Sequence, residues 1–225
     1  MKRYLPFVII ALVFLGALGA GLALYRSTRN ASPVASTQST PQPAAPNMFE
    51  SYSPHVRGGN NAPVTLEEYG DYQCPPCGAL APVLKGVEAQ YGDRLRFVFR
   101  QYPLANHPHA LIAAQAAEAA GLQGRFWEMH DRLYENQSKW SGEIDPRPLY
   151  INYARDVGLD VDRFISDMNG QQVKARVASD RLRGNSAGVT GTPTIFINGR
   201  MLRPEAMTPE GIRTAIDMMT GKPGK

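Results

Sequence analysis

Two segments of the chain alternate between apolar and polar residues, the pattern of a half-buried β-strand. They are VTLEEYG, residues 64–70, and RLRFVFRQY, residues 94–102. Between them, apolar residues recur at helical spacing from Leu80 to Tyr91. The order strand, helix, strand predicts a parallel pair of strands joined by a right-handed crossover.

From about residue 106 to residue 187 the apolar spacing is that of helices. Asp145 and Asp160 precede two of these apolar patterns and are predicted helix N-caps. In the segment after Asp160, four apolar residues are spaced for burial: Val161, Phe164, Ile165 and Met168. The Met and aromatic residues of this block are interpreted as core rather than as a cofactor site.

A strand pattern returns in TPTIFING, residues 192–199, where Asn198 and Gly199 predict a hairpin turn. Thr208, followed by Pro209 and Glu210, opens a final helix. The fold class is therefore α/β, with strands at both ends of the domain and a helical block between them.

The N-terminus carries a different pattern, since no charged residue occurs from Leu5 to Tyr25. A helix of this length spans about 30 Å, the thickness of a bilayer hydrocarbon core. The run exceeds the usual apolar core of a cleaved signal peptide, so we favour an uncleaved signal anchor and keep the cleaved peptide as the alternative. In both cases the domain behind it is expected to be exported.

Residues 27–48 are rich in Ser, Thr, Pro, Ala and Gln and contain few large apolar side chains, which is typical of a tether. The expected organisation is a transmembrane signal anchor at 1–26, a flexible linker at 27–48 and a folded domain at 49–225. The expected location is the cytoplasmic membrane, single-pass, with the domain on the periplasmic side.

Charge narrows the choice of partners. The net charge is +4 and the pI about 9.1, but the basic residues are scattered and form no dense run. This favours a solvated surface over a nucleic-acid interface.

The chain has two cysteines, Cys74 and Cys77, in the sequence QCPPCG. A zinc ribbon needs two further strong ligands, and His107 and His109 are more typical of a helix start at the surface. A disulfide closing so short a loop stabilises little and tends to be strained. A reducible bridge of this kind favours a redox-active disulfide, with no other cofactor and no bound metal expected.

The position of the pair supports this interpretation. Cys74 follows the first predicted strand and precedes the helix, so its sulfur is expected at the positive end of the helix dipole. With Cys74 as N-cap, Pro75 and Pro76 occupy the first turn, where no intrahelical N–H is lost. Cys77 then lies in the same turn, within reach of the Cys74 sulfur.

Three segments together resemble the DsbA-like thiol–disulfide oxidoreductases of the thioredoxin superfamily. They are APVTLEEYGDYQCPPCGALAP, HPHALIAAQAAEAAGLQGRFWEMHDRLYENQ and GVTGTPTIFING. The resemblance covers about residues 60–219. It implies a thioredoxin fold with a helical insertion, here at about 104–187, and a redox role outside the cytoplasm.

The resemblance also implies roles for single residues. Cys74 matches the family's exposed nucleophile and Cys77 its buried resolving cysteine. Pro193 matches the cis-proline opposite the active site, where Thr192 and Pro193 would offer backbone hydrogen bonds to substrate. Glu68 matches the buried carboxylate of the superfamily, and its place on the strand face of Val64 and Leu66 favours burial.

The chain departs from the family's strong oxidants, which carry Pro-His between the cysteines where this chain carries Pro75 and Pro76. The loss of an imidazolium and of amide donors is expected to raise the pKa of Cys74 relative to those oxidants, while the helix dipole keeps it below that of free cysteine. A milder oxidant is expected, with a potential between about −120 mV and about −270 mV.

The sequence therefore predicts an enzyme that introduces or exchanges disulfides in exported proteins and is regenerated by a membrane redox partner. Two alternatives remain. The same fold could serve as a membrane-anchored thiol reductase, for example for apocytochrome thiols. The two thiolates could instead carry copper(I), although copper proteins with this fold resemble CxxxC with a distant His.

Overall fold

The computed structural model describes residues 52–220. The expected anchor at 1–26 and linker at 27–48 lie outside the described residues. Among residues 52–220, no helix combines the length and the apolar character needed to cross a membrane.

The sheet is built on the strand pair predicted from the sequence. Strands β1 (His55–Gly58), β2 (Val64–Gly70), β3 (Leu95–Gln101), β4 (Thr194–Ile197) and β5 (Arg200–Met201) lie in the order β1-β3-β2-β4-β5. β2 and β3 are parallel, as predicted, and the other neighbours are antiparallel. β1 was missed, because HVRG is four residues long and has no alternation that distinguishes it from a loop.

The helices follow the predicted order. They are α1 (Pro75–Tyr91), α2 (Ala110–Gly121), α3 (Phe126–Glu135), α4 (Gln137–Trp140), α5 (Arg147–Asp156), α6 (Val161–Met168), α7 (Gln171–Ser186) and α8 (Pro209–Thr220). α1 is the crossover between β2 and β3. α2 to α7 all lie between β3 and β4, which confirms the helical insertion.

The predicted helix N-caps and the predicted buried face of α6 are confirmed only in part. Asp160 is the N-cap of α6 and its side chain accepts a hydrogen bond from the Arg163 backbone N–H. Asp145 lies one residue before the N-cap of α5, although its carboxylate still accepts from Arg147 N at 3.1 Å. Ile165 is 41% exposed, so its predicted burial was wrong, and Phe164 and Met168 form the buried stripe of α6.

The main core forms where the insertion packs with α1 and the sheet. Its fully buried side chains include Leu66, Phe97, Phe99, Met129, Leu133, Trp140, Tyr150 and Phe164. A smaller cluster of Tyr69, Tyr102, Val189 and Phe196 packs separately. Gly184 of α7 is required there, since a Cβ at this position would come within 2.8 Å of the Tyr102 ring. The two clusters hold the ends of β2 and β4, from which the cysteine pair and Pro193 extend.

Candidate active site

Cys74 is the N-cap of α1, as the sequence predicted. Its backbone N–H donates to Asp71 O at 3.1 Å, and its carbonyl accepts from Gly78 N at 3.1 Å. Pro75 and Pro76 are exposed in the first turn. The sulfur of Cys74 therefore lies at the helix N-terminus, where the dipole favours a thiolate.

The second half of the site comes from the segment before β4. The antiparallel pairing of β2 with β4 sets Tyr69 opposite Thr194, so the residues preceding β4 lie beside those following β2. The Thr192–Pro193 peptide bond is cis, as the resemblance implies. In its thiol form, Cys74 Sγ donates a hydrogen bond to Thr192 O at 3.4 Å.

One expectation about Cys74 was wrong. The resemblance implied an exposed nucleophile, but only 4% of Cys74 is exposed and Cys77 is fully buried. Part of this cover comes from the Thr192 segment, whose carbonyl oxygen lies 3.4 Å from the sulfur. Both cysteines are free thiols in this structure.

The two thiols have opposite ionisation tendencies. A hydrogen bond from the Cys77 thiol, together with hydrogen bonding from Thr192, lowers the pKa of Cys74 to about 6 in spite of partial desolvation. Burial, the same hydrogen bond and the charge of Glu68 raise the pKa of Cys77 far above its usual range. At neutral pH the pair therefore holds one thiolate, on Cys74, and one proton, on Cys77.

Glu68 is buried on β2, as predicted, with 1% of the residue exposed. Desolvation and then the charges of Glu88 and Cys74 raise its pKa to about 8. Its Oε1 atom receives no hydrogen bond from the residues the structure describes. Glu68 is thus a buried carboxyl that is mostly protonated at neutral pH and electrostatically linked to Cys77.

A cavity of about 310 Å³ lies behind the cysteine pair, between α1, α3 and the sheet. Its lining extends from buried Glu68 to Lys85 and Glu135, whose side chains are more than half exposed. Gly78, next to Cys77, also lines it. The cavity therefore connects the Glu68 carboxyl with the protein surface.

Two glutamines attach the insertion to the active-site turn, and sequence reasoning missed both. Gln137 Nε2 donates to the carbonyls of Tyr72 and Cys74 at 2.7 and 2.9 Å. Gln73 accepts from His109 N at 2.6 Å and donates to Ser141 O at 2.9 Å. The position of Gln73 next to Cys74 was a signal that could have identified it. Gln137 lies 63 residues from Cys74 in the sequence, and no sequence pattern connects the two.

The two histidines considered as zinc ligands have other partners. His107 Nδ1 lies 2.7 Å from Asp71 Oδ2, and His109 Nε2 lies 2.7 Å from Glu143 O. Both are half-buried rather than part of the open surface expected from the sequence. Across residues 52–220, no three His, Cys, Asp or Glu side chains are grouped so that they could hold a metal ion.

The family model described as thioredoxin matches residues 50–218. The chain belongs to the thioredoxin family. Solved structures of DsbA proteins share its fold. The thiol–disulfide exchange protein alpha-DsbA2 of Wolbachia pipientis is 20% identical with a TM-score of 0.66, covering 77% of this chain and 90% of that one. DsbA2 of Pseudomonas aeruginosa is 25% identical with a TM-score of 0.60, covering 75% and 95%.

A curated relative is the Na(+)/H(+) antiporter NhaA 1 of Salinispora arenicola, 45% identical over 147 residues. The match covers 65% of this chain and only 22% of the antiporter, so the likeness concerns a thioredoxin-like part of that protein. Family membership and the similar solved structures thus agree on the fold of this chain.

Proposed function

We propose that this protein is an exported thiol–disulfide oxidoreductase that uses the Cys74–Cys77 pair to introduce or exchange disulfides in other exported proteins. The observation that carries the proposal is the asymmetry of the pair. Cys74 is a stabilised thiolate at a helix N-terminus, whereas Cys77 is buried and retains its proton. Cys74 is therefore suited to act as nucleophile and as leaving group, and Cys77 is suited to close the disulfide.

In the oxidising direction, a substrate thiolate attacks Cys74 Sγ of the disulfide. The Cys74–Cys77 bond breaks, Cys77 leaves as a thiolate, and it takes a proton from Glu68. The second substrate thiolate then attacks the substrate sulfur of the mixed disulfide, and Cys74 leaves as the stabilised thiolate. Two substrate thiols are oxidised to one disulfide while the enzyme's disulfide is reduced to two thiols.

Regeneration reverses the proton transfer. The Cys74 thiolate attacks a disulfide of the redox partner, whose S–S bond breaks and releases one partner thiolate. Cys77 gives its proton to Glu68 and attacks Cys74 Sγ, which breaks the mixed disulfide and releases the second partner thiolate. The raised pKa of Glu68 suits both transfers, because a carboxyl with a pKa of about 8 is able to donate and accept near neutral pH. The cavity behind Cys77 supplies the route by which Glu68 exchanges its proton with solvent.

Thr192 and Pro193 form the substrate-binding edge in this proposal. Thr192 O already accepts from Cys74 Sγ at 3.4 Å, which places this backbone against the reacting sulfur. An extended substrate segment would pair with the backbone of Thr192 beside Cys74, as a strand pairs with a sheet edge. Pro193 has no N–H, so its backbone offers the substrate only the carbonyl oxygen.

We further propose that residues 1–26 anchor the protein in the cytoplasmic membrane as a single-pass segment, that residues 27–48 form the linker, and that the catalytic domain faces the periplasm. This rests on the uncharged run of 21 residues and on the composition of the linker. The proposed partners are exported protein thiols and disulfides and a membrane protein that reoxidises the cysteine pair.

Serine variants of the cysteines test the proposal. Cys77→Ser should trap mixed disulfides with exported proteins, visible as higher-mass bands that disappear on reduction, because the resolving sulfur is lost. Cys74→Ser should give no such bands, since the attacked sulfur is absent, and the double variant is the matched control. Wild-type exchange activity in Cys74→Ser would overturn the proposal.

A further inference from the structure

Tyr102 contacts both of the segments that meet at the active site, and the mechanism does not use it. It directly follows β3 and is buried. Its backbone N–H donates to Gly70 O at 2.8 Å, at the end of β2. Cys74 lies four residues further along the chain. The backbone of Tyr102 is therefore attached to the segment that carries the reacting sulfur.

The hydroxyl of Tyr102 contacts the second segment, residues 187–193, which connects α7 to β4. The hydroxyl oxygen lies 2.7 Å from Val189 O and 2.7 Å from Asn185 Oδ1. Val189 is 3% exposed, so its carbonyl has little access to water and depends on a donor from the protein. The Tyr102 side chain thus binds the connection through a buried backbone group.

Two other hydrogen bonds of this connection come from the elements that flank it. Val189 N donates to Gly184 O of α7 at 2.9 Å, and the Thr194 hydroxyl of β4 donates to Gly191 O at 2.8 Å. The Tyr102 hydroxyl differs from both, because it extends from the end of β3. It therefore fixes the connection relative to the parallel strand pair from which the cysteine turn emerges.

We propose that Tyr102 is a positioning residue for exchange with peptide substrates. Through Val189 it holds the Thr192 backbone beside Cys74, where an extended substrate segment pairs with it. Thr192 follows Val189 by three residues, and its carbonyl oxygen lies 3.4 Å from Cys74 Sγ. The inference rests on the proposed function, in which Thr192 is the substrate-binding edge. Without the Tyr102 bond this edge is less well oriented for a peptide, whereas a small thiol has no backbone to pair with it.

Tyr102→Phe tests the proposal, because it keeps the ring in its apolar cluster and removes only the hydroxyl. The oxidised full-length chain in detergent is mixed either with a reduced peptide that contains two cysteines or with dithiothreitol. Each dithiol becomes a disulfide as the Cys74–Cys77 bond becomes two thiols, and mass after thiol alkylation gives the rate.

Tyr102→Phe should lower the ratio of the peptide rate to the dithiothreitol rate by about tenfold, because a buried carbonyl next to the substrate edge loses its donor. An effect confined to the reactivity of the sulfur would alter both rates and cancel in this ratio. Tyr150→Phe is the matched control, since the Tyr150 hydroxyl is buried and has no hydrogen-bond partner among residues 52–220. It should leave the ratio unchanged.

A merely structural role for Tyr102 would lower the urea concentration at which Tyr102→Phe unfolds and leave the ratio at its wild-type value. That result would overturn the proposal and leave the proposed function standing. A wild-type chain that exchanges with neither dithiol would instead overturn the proposed function, and the role of Tyr102 with it.

Discussion

The sulfur of Cys74 lies 3.4 Å from the carbonyl oxygen of Thr192, a residue 118 positions further along the chain. The contact depends on β2 and β4 being antiparallel neighbours, which brings the end of one strand to the start of the other. Thr192 is therefore close enough to influence the ionisation of Cys74 directly.

Thr192→Val should raise the Cys74 pKa above about 6, because hydrogen bonding from Thr192 lowers it in the wild type. The Thr192 hydroxyl oxygen is buried and has no hydrogen-bond partner in the described part of the chain, so it is available to donate to a thiolate at Cys74. Thiolate absorbance against pH measures the shift. Thr194→Val is the control, since that hydroxyl donates to Gly191 O at 2.8 Å and should affect stability alone. Equal pKa values in wild type and Thr192→Val would contradict the prediction.

Glu68→Gln should change how stability depends on pH. The folded pKa of Glu68 is raised to about 8 from an ordinary value of 4.5, so its contribution is complete below about pH 4.5 and is lost as pH rises through 8. Glutamine has no such loss and should stabilise the fold at pH 9 relative to wild type, by an amount on the order of a few kcal/mol.

Urea unfolding of the reduced protein at pH 5 and pH 9 measures the difference. Glu67→Gln, on the same strand, is a contrasting variant, because Glu67 is paired with Arg100 at 2.8 Å and its loss should destabilise. A free-energy difference between wild type and Glu68→Gln that is the same at both pH values would show that Glu68 is ionised normally. In exchange assays Glu68→Gln should also slow the step in which Cys77 gains or loses its proton.

The fold was largely readable from the sequence because its strands and helices carry strong periodicity. β2, α1 and the Cys74 N-cap were placed correctly, since alternation, helical spacing and paired prolines all agree there. β1 was missed because four residues provide too little pattern. Ile165 was placed inward because a helical stripe does not specify how wide its buried face will be.

Only the part of the candidate site formed by residues close together in the sequence could be predicted from their pattern. The spacing of the cysteines predicted a redox pair, and the resemblance supplied Glu68 and Pro193. The contacts of Gln137 and the partner of Asp71 could not be deduced, because both depend on how the insertion packs on the active-site turn. Such long-range polar contacts leave no periodic trace in a single sequence.

Gln137→Ala should destabilise the protein by about 1–2 kcal/mol, because two hydrogen bonds to the carbonyls of Tyr72 and Cys74 are lost. It should also slow thiol exchange, since one of the two glutamine links between the insertion and the turn that carries the cysteines is lost. Gln171→Ala, at the exposed start of α7, is the matched control. If both variants unfold at the same urea concentration and exchange thiols at the same rate, Gln137 has no such role.

The proposed anchor at 1–26 predicts that the full-length protein sediments with membranes and resists extraction by carbonate or high salt. Replacement of Ala11 and Leu15 by Asp should release it, because charged residues in the middle of the segment oppose insertion. A soluble protein whose N-terminus begins near Leu24 would instead identify a cleaved signal peptide.

The direction of electron flow follows from the reduction potential. The helix N-terminus and Thr192 stabilise the Cys74 thiolate, but Pro75 and Pro76 provide neither an imidazolium nor amide donors. The expected reduction potential lies between about −120 mV and about −270 mV, an interval worth about 7 kcal/mol for two electrons.

Equilibration with glutathione buffers measures this potential, with the reduced and oxidised forms distinguished by mass after thiol alkylation. Pro76→His should shift the potential toward the oxidising end. A wild-type value at or below about −270 mV, with both cysteines reduced in cells, would make the enzyme a reductase and leave the fold and site unchanged.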